Sequence, residues 1–479
     1  LASLAACTKD LNETAISTDG DNGGAVIVNS ADGAERGEMV VKFKREAESA
    51  LESVASRAGA TRSGVDGVDE ILEAIGATAV EPVFVVTDKN RENVYRAGLN
   101  LWYKFTFDKS ADLDEVASRL ARVAEIGTVQ YNIRVKRAYN RRGVAYDAVK
   151  HAAETTRATA QFNDPLLGEQ WHFINTGDTK VTTPIKAGAD VNCAQAWKLC
   201  TGDPSIIVAV VDEGVMYSHE DLATNMWVNT AEKNGSSNKD DDGNGYKDDI
   251  YGYDFVNSTG NVSYDKTGDV SHGTHVAGTV AAVNGNGKGV CGIAGGSGNG
   301  DGVRIMSCQI FSGDDGATTA NTAKAIQYAA DNGAVILQCS WGYNSARSDS
   351  DQGPASESAF NRECSAEKAA VDYFIDNAGS DTGVIKGGIA IFAAGNEYAA
   401  MPGYPGAYER CVSVAAIAAD YTPASFSNYG PGVDICAPGG DSDYAKSETG
   451  TILSTMTPAE SSASNPYGYM EGTSMACPH

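Results

Sequence analysis

The rhythm of apolar positions changes part-way along the chain. Between residues 38 and 138 the runs are short and mixed. MVVKF (39–43), VEPVFVV (80–86), LNLWYKFTF (99–107) and TVQYNIRV (128–135) read as strands, rich in β-branched and aromatic residues. Residues 46–57 read as a helix. So do residues 112–126, where Leu113, Val116, Leu120 and Val123 share one face. The order is β-α-β-β-α-β, which predicts a small α+β module of the ferredoxin-like, split β-α-β kind.

From about residue 163 the pattern becomes α/β. Continuous apolar runs occur at IIVAVV (206–211), VRIMSCQI (303–310), AVILQC (334–339), IAIFAA (389–394) and CVSVAAI (411–417). Such runs suit strands buried on both faces. Helical stretches lie between them, at 318–331 and 359–377. The alternation predicts a mostly parallel sheet flanked by helices. In such sheets, function gathers at the carboxyl ends of the strands.

Four segments follow: 1–37, 38–138, 139–162 and 163–479. The first is polar after its opening residues and reads as a tether. It begins LASLAAC, which resembles the lipobox that closes a bacterial lipoprotein signal peptide. On that reading Cys7 takes the lipid and holds the protein to a membrane at the cell envelope. An ordinary signal-peptide remnant is the alternative. Residues 134–157 carry seven Lys or Arg against two acids, Asp147 and Glu154. They form a basic linker open to proteolysis or, alternatively, a solvated helix face. The chain begins at Leu1, not Met, and stops five residues after Ser474, so the expectation is a fragment of a longer protein.

Charge narrows the partners. A net charge of -26 repels phosphate backbones, so no nucleic-acid partner is expected. The ten Cys include no C-x-x-C pair, which argues against a zinc site. Most read as small buried apolar residues. A Cys193–Cys200 bridge stays open.

Three residues stand out chemically. Asp212 follows the run IIVAVV. His272 opens HGTHVAGTVAA. Ser474 lies in GTSMACPH. A serine hydroxyl is a poor nucleophile until a base takes its proton, and a histidine can do so near neutral pH. A buried aspartate would fix the imidazole tautomer and stabilise its cation. Taken singly, each residue has an ordinary reading: a turn, a core histidine, a helix cap.

Together, VVDEGV, HGTHVAGTVAA and GTSMACPH resemble the three active-site signatures of the subtilisin-like serine proteases, the subtilases, in the family order Asp, His, Ser. The resemblance covers roughly residues 163–479. It implies a serine endopeptidase acting on polypeptides, with Asp212, His272 and Ser474 as its triad. It assigns Asn396, in IAIFAAGNE, as an oxyanion-hole donor. It implies substrate binding along Ser340, Trp341 and Gly342 and along Ala394 and Gly395, with Trp341 and Glu397 shaping the pocket. It also implies that residues 38–138 are a propeptide, an intramolecular inhibitor removed within the basic linker; a retained structural domain is the alternative. Two other readings share the scaffold: a non-catalytic surface binding protein, and a dedicated maturation protease.

The run NKDDDGNGYKDD matches the first half of an EF-hand-type loop. Asp240, Asp242, Asn244 and the Tyr246 carbonyl are candidate calcium ligands, and Asp249 or Asp248 supplies a further carboxylate. The twelfth position is Tyr251, not Glu. A solvated acidic loop is the alternative. Gln170 and Asp221 are a weaker second calcium candidate, on resemblance alone.

Overall fold

The computed structural model describes residues 25–55, 59–137, 143–147, 161–264, 271–313, 316–379 and 385–479. Cys7 and most of the 139–162 linker lie outside the described residues. Two units are distinguished: Leu1–Glu81 with Tyr103–Asn132, and Pro82–Trp102 with Ile133–His479. Pro82–Trp102 belongs with the second unit, where the Val85 N–H donates to Gln327 and Asn90 Nδ2 donates to Asp331.

In the first unit, Ile126–Arg137, Ala34–Phe43, Trp102–Thr106 and Ala79–Pro82 lie side by side in that order. This is the interleaving expected of a split β-α-β module. Helices Glu48–Ala55 and Leu113–Leu120 match the two predicted, the second opened by Asp112, whose carboxylate caps Asp114 and Glu115. Two features depart from expectation. Val26–Val28 pairs parallel with 128–130, inside the stretch read as a tether. A helix also forms at Asp66–Ala74, whose Val68, Ile71 and Leu72 are buried. VEPVFVV is a strand only to Pro82. Val83 then turns inward, and its N–H donates to the Trp102 carbonyl.

In the second unit, seven parallel strands lie in the order Ile435–Pro438, Val412–Ile417, Ile389–Ala393, Ile336–Cys339, Ile207–Glu213, Arg304–Phe311 and Gly252–Asp254. All five apolar runs are strands of this sheet. The two outermost strands, Gly252–Asp254 and Ile435–Pro438, were not predicted. Ile207–Glu213 is buried on both faces from Val208 on, as a central strand must be. The stretch 359–377 is two helices, Glu357–Glu363 and Ser365–Asn377, broken at Cys364.

Strand order reverses between Ile207–Glu213 and Ile336–Cys339, which are neighbours although Gly252–Asp254 and Arg304–Phe311 come between them in sequence. A crevice at the carboxyl ends of such a pair is where parallel sheets place their ligands. Asp212 and Ser340 sit at those two ends.

All nine described cysteines are free, and seven of them are buried. The Cys193–Cys200 bridge is not formed. Among the described residues, no helix is long and apolar enough to cross a membrane.

Candidate active site

The three motif residues come from three elements. Asp212 is the penultimate residue of its strand, where the register with Arg304–Phe311 shifts. His272 opens helix His272–Ala281, all of whose residues are buried. Gly273 is what lets this helix approach the strand: a Cβ there would lie 2.4 Å from the Glu213 carbonyl oxygen. The approach brings His272 Nδ1 to donate to Asp212 Oδ1 at 2.7 Å, with both side chains at most 1% exposed. Asp212 Oδ1 also accepts the Glu213 N–H at 2.7 Å.

Ser474 is the second residue of the short helix Thr473–Ala476. It is buried, and its hydroxyl donates to the Ser340 carbonyl at 3.0 Å. In return the Ser340 hydroxyl donates to the Ser474 carbonyl at 2.7 Å. The serine is thus fastened to the end of Ile336–Cys339, beside the Asp212 strand.

Asn396 lies on the loop that leaves Ile389–Ala393. Its Oδ1 accepts both the N–H and the hydroxyl of Thr473, at 2.9 and 3.0 Å. With the oxygen occupied, the amide presents its N–H₂ as a donor. Gly395 makes the bend at φ +104°, and a Cβ there would lie 2.3 Å from Asn428 Nδ2. Asn428 clamps this loop: its Nδ2 donates to the Ala394 carbonyl at 2.8 Å, and its Oδ1 accepts the Glu397 and Ala399 N–H groups. Glu397 is tied back to Asn428 Nδ2 at 2.6 Å.

Trp341 does not shape a pocket with its side chain. The indole is fully buried, donates to the Val211 carbonyl at 2.7 Å and meets Phe392 edge-on at 5.3 Å. A large apolar ring is more stable in the core than at a wet edge. What Trp341 and Gly342 offer is backbone. They pair antiparallel with Arg137 and Lys136, while Ala317 and Thr318 pair with Val135 and Arg134. A peptide strand therefore occupies the edge beside Ser340.

In the acidic loop, Asp240 and Asp242 come together with Glu232, their ligand oxygens within 4.8 Å of one another. Sequence reading missed Glu232. It lies on the short helix Thr230–Asn234 ahead of the loop, and its position in that first turn was the available signal. Asp249 lies beside Asp242, sharing the Asn229 amide with it, but is not one of the three. It accepts from Asn229, Asn244 and the Tyr328 hydroxyl, and burial raises its pKa to about 7. Asn244 Oδ1 accepts the Tyr246 N–H at 2.8 Å. Asp248 accepts the Asn238 N–H at 2.9 Å. Gln170 bonds to Cys291 and Leu453, and Asp221 to Asn286 and Val290; the carboxylates of Glu232, Asp240 and Asp242 also accept backbone N–H groups of their own loop.

A parallel α/β sheet with a buried Asp–His pair, a fastened serine and an oriented amide at its switch point brings together the residue types from which a triad-type serine site is built. The chain belongs to the subtilase family, whose model matches residues 203–479. It is 29% identical over 413 residues to halolysin of Haloferax mediterranei, covering 86% of this chain and 60% of halolysin. It is 29% identical over 316 residues to the halolysin-like extracellular serine protease Nep of Natrialba magadii, covering 66% of this chain and 43% of that protein. This chain thus spans under two thirds of either relative's length. The crystal structure of fervidolysin from Fervidobacterium pennivorans shares the fold at TM-score 0.58 and 22% identity, covering 95% of this chain and 55% of fervidolysin.

Proposed function

We propose that this protein is a serine endopeptidase, exported and made as a zymogen, which cuts polypeptides through an acyl-enzyme. The observation that carries the reading is the 2.7 Å Asp212–His272 pair at the edge where Ser474 is held and where a peptide strand lies.

Ser474 Oγ attacks the scissile carbonyl carbon, and its proton passes to His272 Nε2. Asp212 accepts the Nδ1–H throughout and stabilises the imidazolium. The carbonyl oxygen becomes an oxyanion facing the Asn396 N–H₂ and the Ser474 backbone N–H. Collapse breaks the C–N bond, and the His272 proton goes to the leaving amine. A water then repeats the sequence with His272 as base, releasing the acid and restoring Ser474. Ser340, Trp341, Gly342, Ala394 and Gly395 supply the backbone frame for the substrate.

Residues 38–138 act as the intramolecular inhibitor. Supporting this, residues 134–137 pair with Ala317–Thr318 on one side and Trp341–Gly342 on the other, and so fill the backbone that a substrate would use. Export is supported by the relative whose name describes it as extracellular. A lipid on Cys7 anchors the protein to the envelope, and Cys7→Ser should release it from the membrane fraction.

Glu232, Asp240 and Asp242 form the cage for a structural calcium ion. Three crowded carboxylates are a donor set that a hard cation fits. The ion would cancel their mutual repulsion and stiffen the loop between Asp212 and His272; it takes no part in bond cleavage.

The deciding experiment treats the full-length protein and its Ser474→Ala variant with a serine-directed phosphonate probe and with casein. Labelling and casein cleavage by the parent alone are expected. If the parent neither takes the label nor cuts casein, the endopeptidase reading is wrong.

A further inference from the structure

The strand Ile207–Glu213 ends in two adjacent buried carboxylates. Asp212 serves His272. Glu213 has no part in that relay, yet its side chain is only 3% exposed. One oxygen accepts the backbone N–H of His272 at 2.9 Å. The other is paired with the guanidinium of Arg137. That guanidinium lies over the Phe311 ring, 5.5 Å from its centre, and the Arg137 side chain is 12% exposed.

Arg137 belongs to the strand that occupies the substrate edge. Its register fixes what the position means. Trp341 faces Arg137 and Gly342 faces Lys136. Continued one antiparallel step, the same pairing would set a substrate residue opposite Ser340, whose carbonyl receives the Ser474 hydroxyl. On the endopeptidase reading, that substrate residue is the one whose carbonyl is attacked. The residue opposite Trp341 is therefore the second before the cleaved bond.

We infer that Glu213 is a specificity determinant, selecting polypeptides with Arg, and less strongly Lys, as the second residue before the cleaved bond. This rests on the endopeptidase reading above. When Arg137 leaves, Glu213 loses its counter-charge while the His272 N–H still holds its carboxylate in place beside Asp212. A carboxylate left without its cation next to another carboxylate is destabilised. A substrate that brings its own cation restores the pair. Arg suits the place better than Lys, because its planar fork both pairs with a carboxylate and stacks on an aromatic face. Glu or Asp there is repelled.

The test is a set of fluorogenic peptides differing only at that residue, with Arg, Lys, Ala or Glu, cut by the full-length processed protein and by Glu213→Gln. Wild type should prefer Arg over Ala by on the order of 10²-fold in kcat/KM, the range found when a buried charge pair loses one partner. Lys should fall between them and Glu should be poorest. In Glu213→Gln the Arg-to-Ala ratio should collapse toward one. The ratio cancels any general loss caused by Glu213's hold on His272. An active wild type that cuts the Arg and Ala peptides equally well overturns the inference and leaves the endopeptidase reading intact. Failure to cut any peptide, with no phosphonate labelling, overturns both. Should Glu213→Gln fail to fold, the wild-type ranking alone decides.

Discussion

Thr473 holds Asn396 by two bonds to one atom: its N–H and its hydroxyl both donate to Asn396 Oδ1. The same hydroxyl accepts the Gly395 N–H at 3.2 Å. On the proposed mechanism, the residue before the nucleophile thus sets which end of the amide faces the reacting carbonyl.

Asn396→Ala should lower kcat by about 10²–10³-fold with KM little changed, as expected for a donor used only in the transition state. Thr473→Val keeps the shape and the backbone bond but loses the hydroxyl. It should give a smaller fall in kcat, about tenfold if the freed amide costs ~1.4 kcal/mol of transition-state binding. Steady-state kinetics with active-site titration checks both. An Asn396→Ala enzyme with full kcat would remove the oxyanion role.

Asp212→Asn should preserve folding yet cost about 10⁴-fold in kcat. The amide can donate to Nδ1 and so stabilise the wrong imidazole tautomer. Part of the loss should be recovered at high pH if hydroxide replaces the missing base. A pH–rate profile identical in shape to wild type would contradict this placement of Asp212.

Chelation should lower the melting temperature of the Ser474→Ala protein, which cannot digest itself. In the same background, Asp240→Ala should already melt lower and respond little to chelator. Glu232→Ala should behave likewise, whereas Asp249→Asn should keep its chelator response. Equal chelator responses in all four proteins would exclude calcium from this loop.

Burial raises the Asp221 pKa to about 7, against hydrogen bonds from Asn286 and Val290 that lower it. An unfolded aspartate ionises near 4. Between about pH 4 and 7 the unfolded chain has lost a proton that the folded one keeps, so this group's contribution to stability falls as pH rises. Its full effect is at most ~4 kcal/mol, from about three units of displacement. Asp221→Asn should flatten the decline in melting temperature between pH 5 and 8. His275 acts in the opposite sense: burial lowers its pKa to about 3, so its contribution is lost as pH falls below about 6.5.

The sequence made the buried strands legible because five apolar runs could hardly be anything else. It hid the outermost two. Gly252–Asp254 is three residues long, and Ile435–Pro438 has Ile435 and Cys436 exposed, so neither shows a buried run. AVIV at 25–28 was overlooked because polar residues surround it, although Val28 is 3% exposed and its strand pairs with 128–130. In the site, Asp212, His272, Ser474 and Asn396 each lay in a motif of their own. Glu213 stood inside the quoted VVDEGV but had no visible partner, since Arg137 lies 76 residues earlier. Glu232 was missed for a similar reason: a carboxylate reaching in from a preceding helix leaves no mark on the loop's spacing. Trp341 was misjudged because position along a strand does not reveal which way an indole turns.

The strand beside Ser340 belongs to the same polypeptide as the edge it covers. Its pairing with Trp341 is a unimolecular equilibrium, governed by an effective rather than a bulk concentration. Dilution cannot weaken it, and a competing peptide must overcome it at every encounter. One cut between residues 138 and 163 turns that equilibrium into a bimolecular one, which dilution then drives apart. Activation on this scheme would follow first-order kinetics in its first turnover, and the timing of release would depend on volume as much as on chemistry.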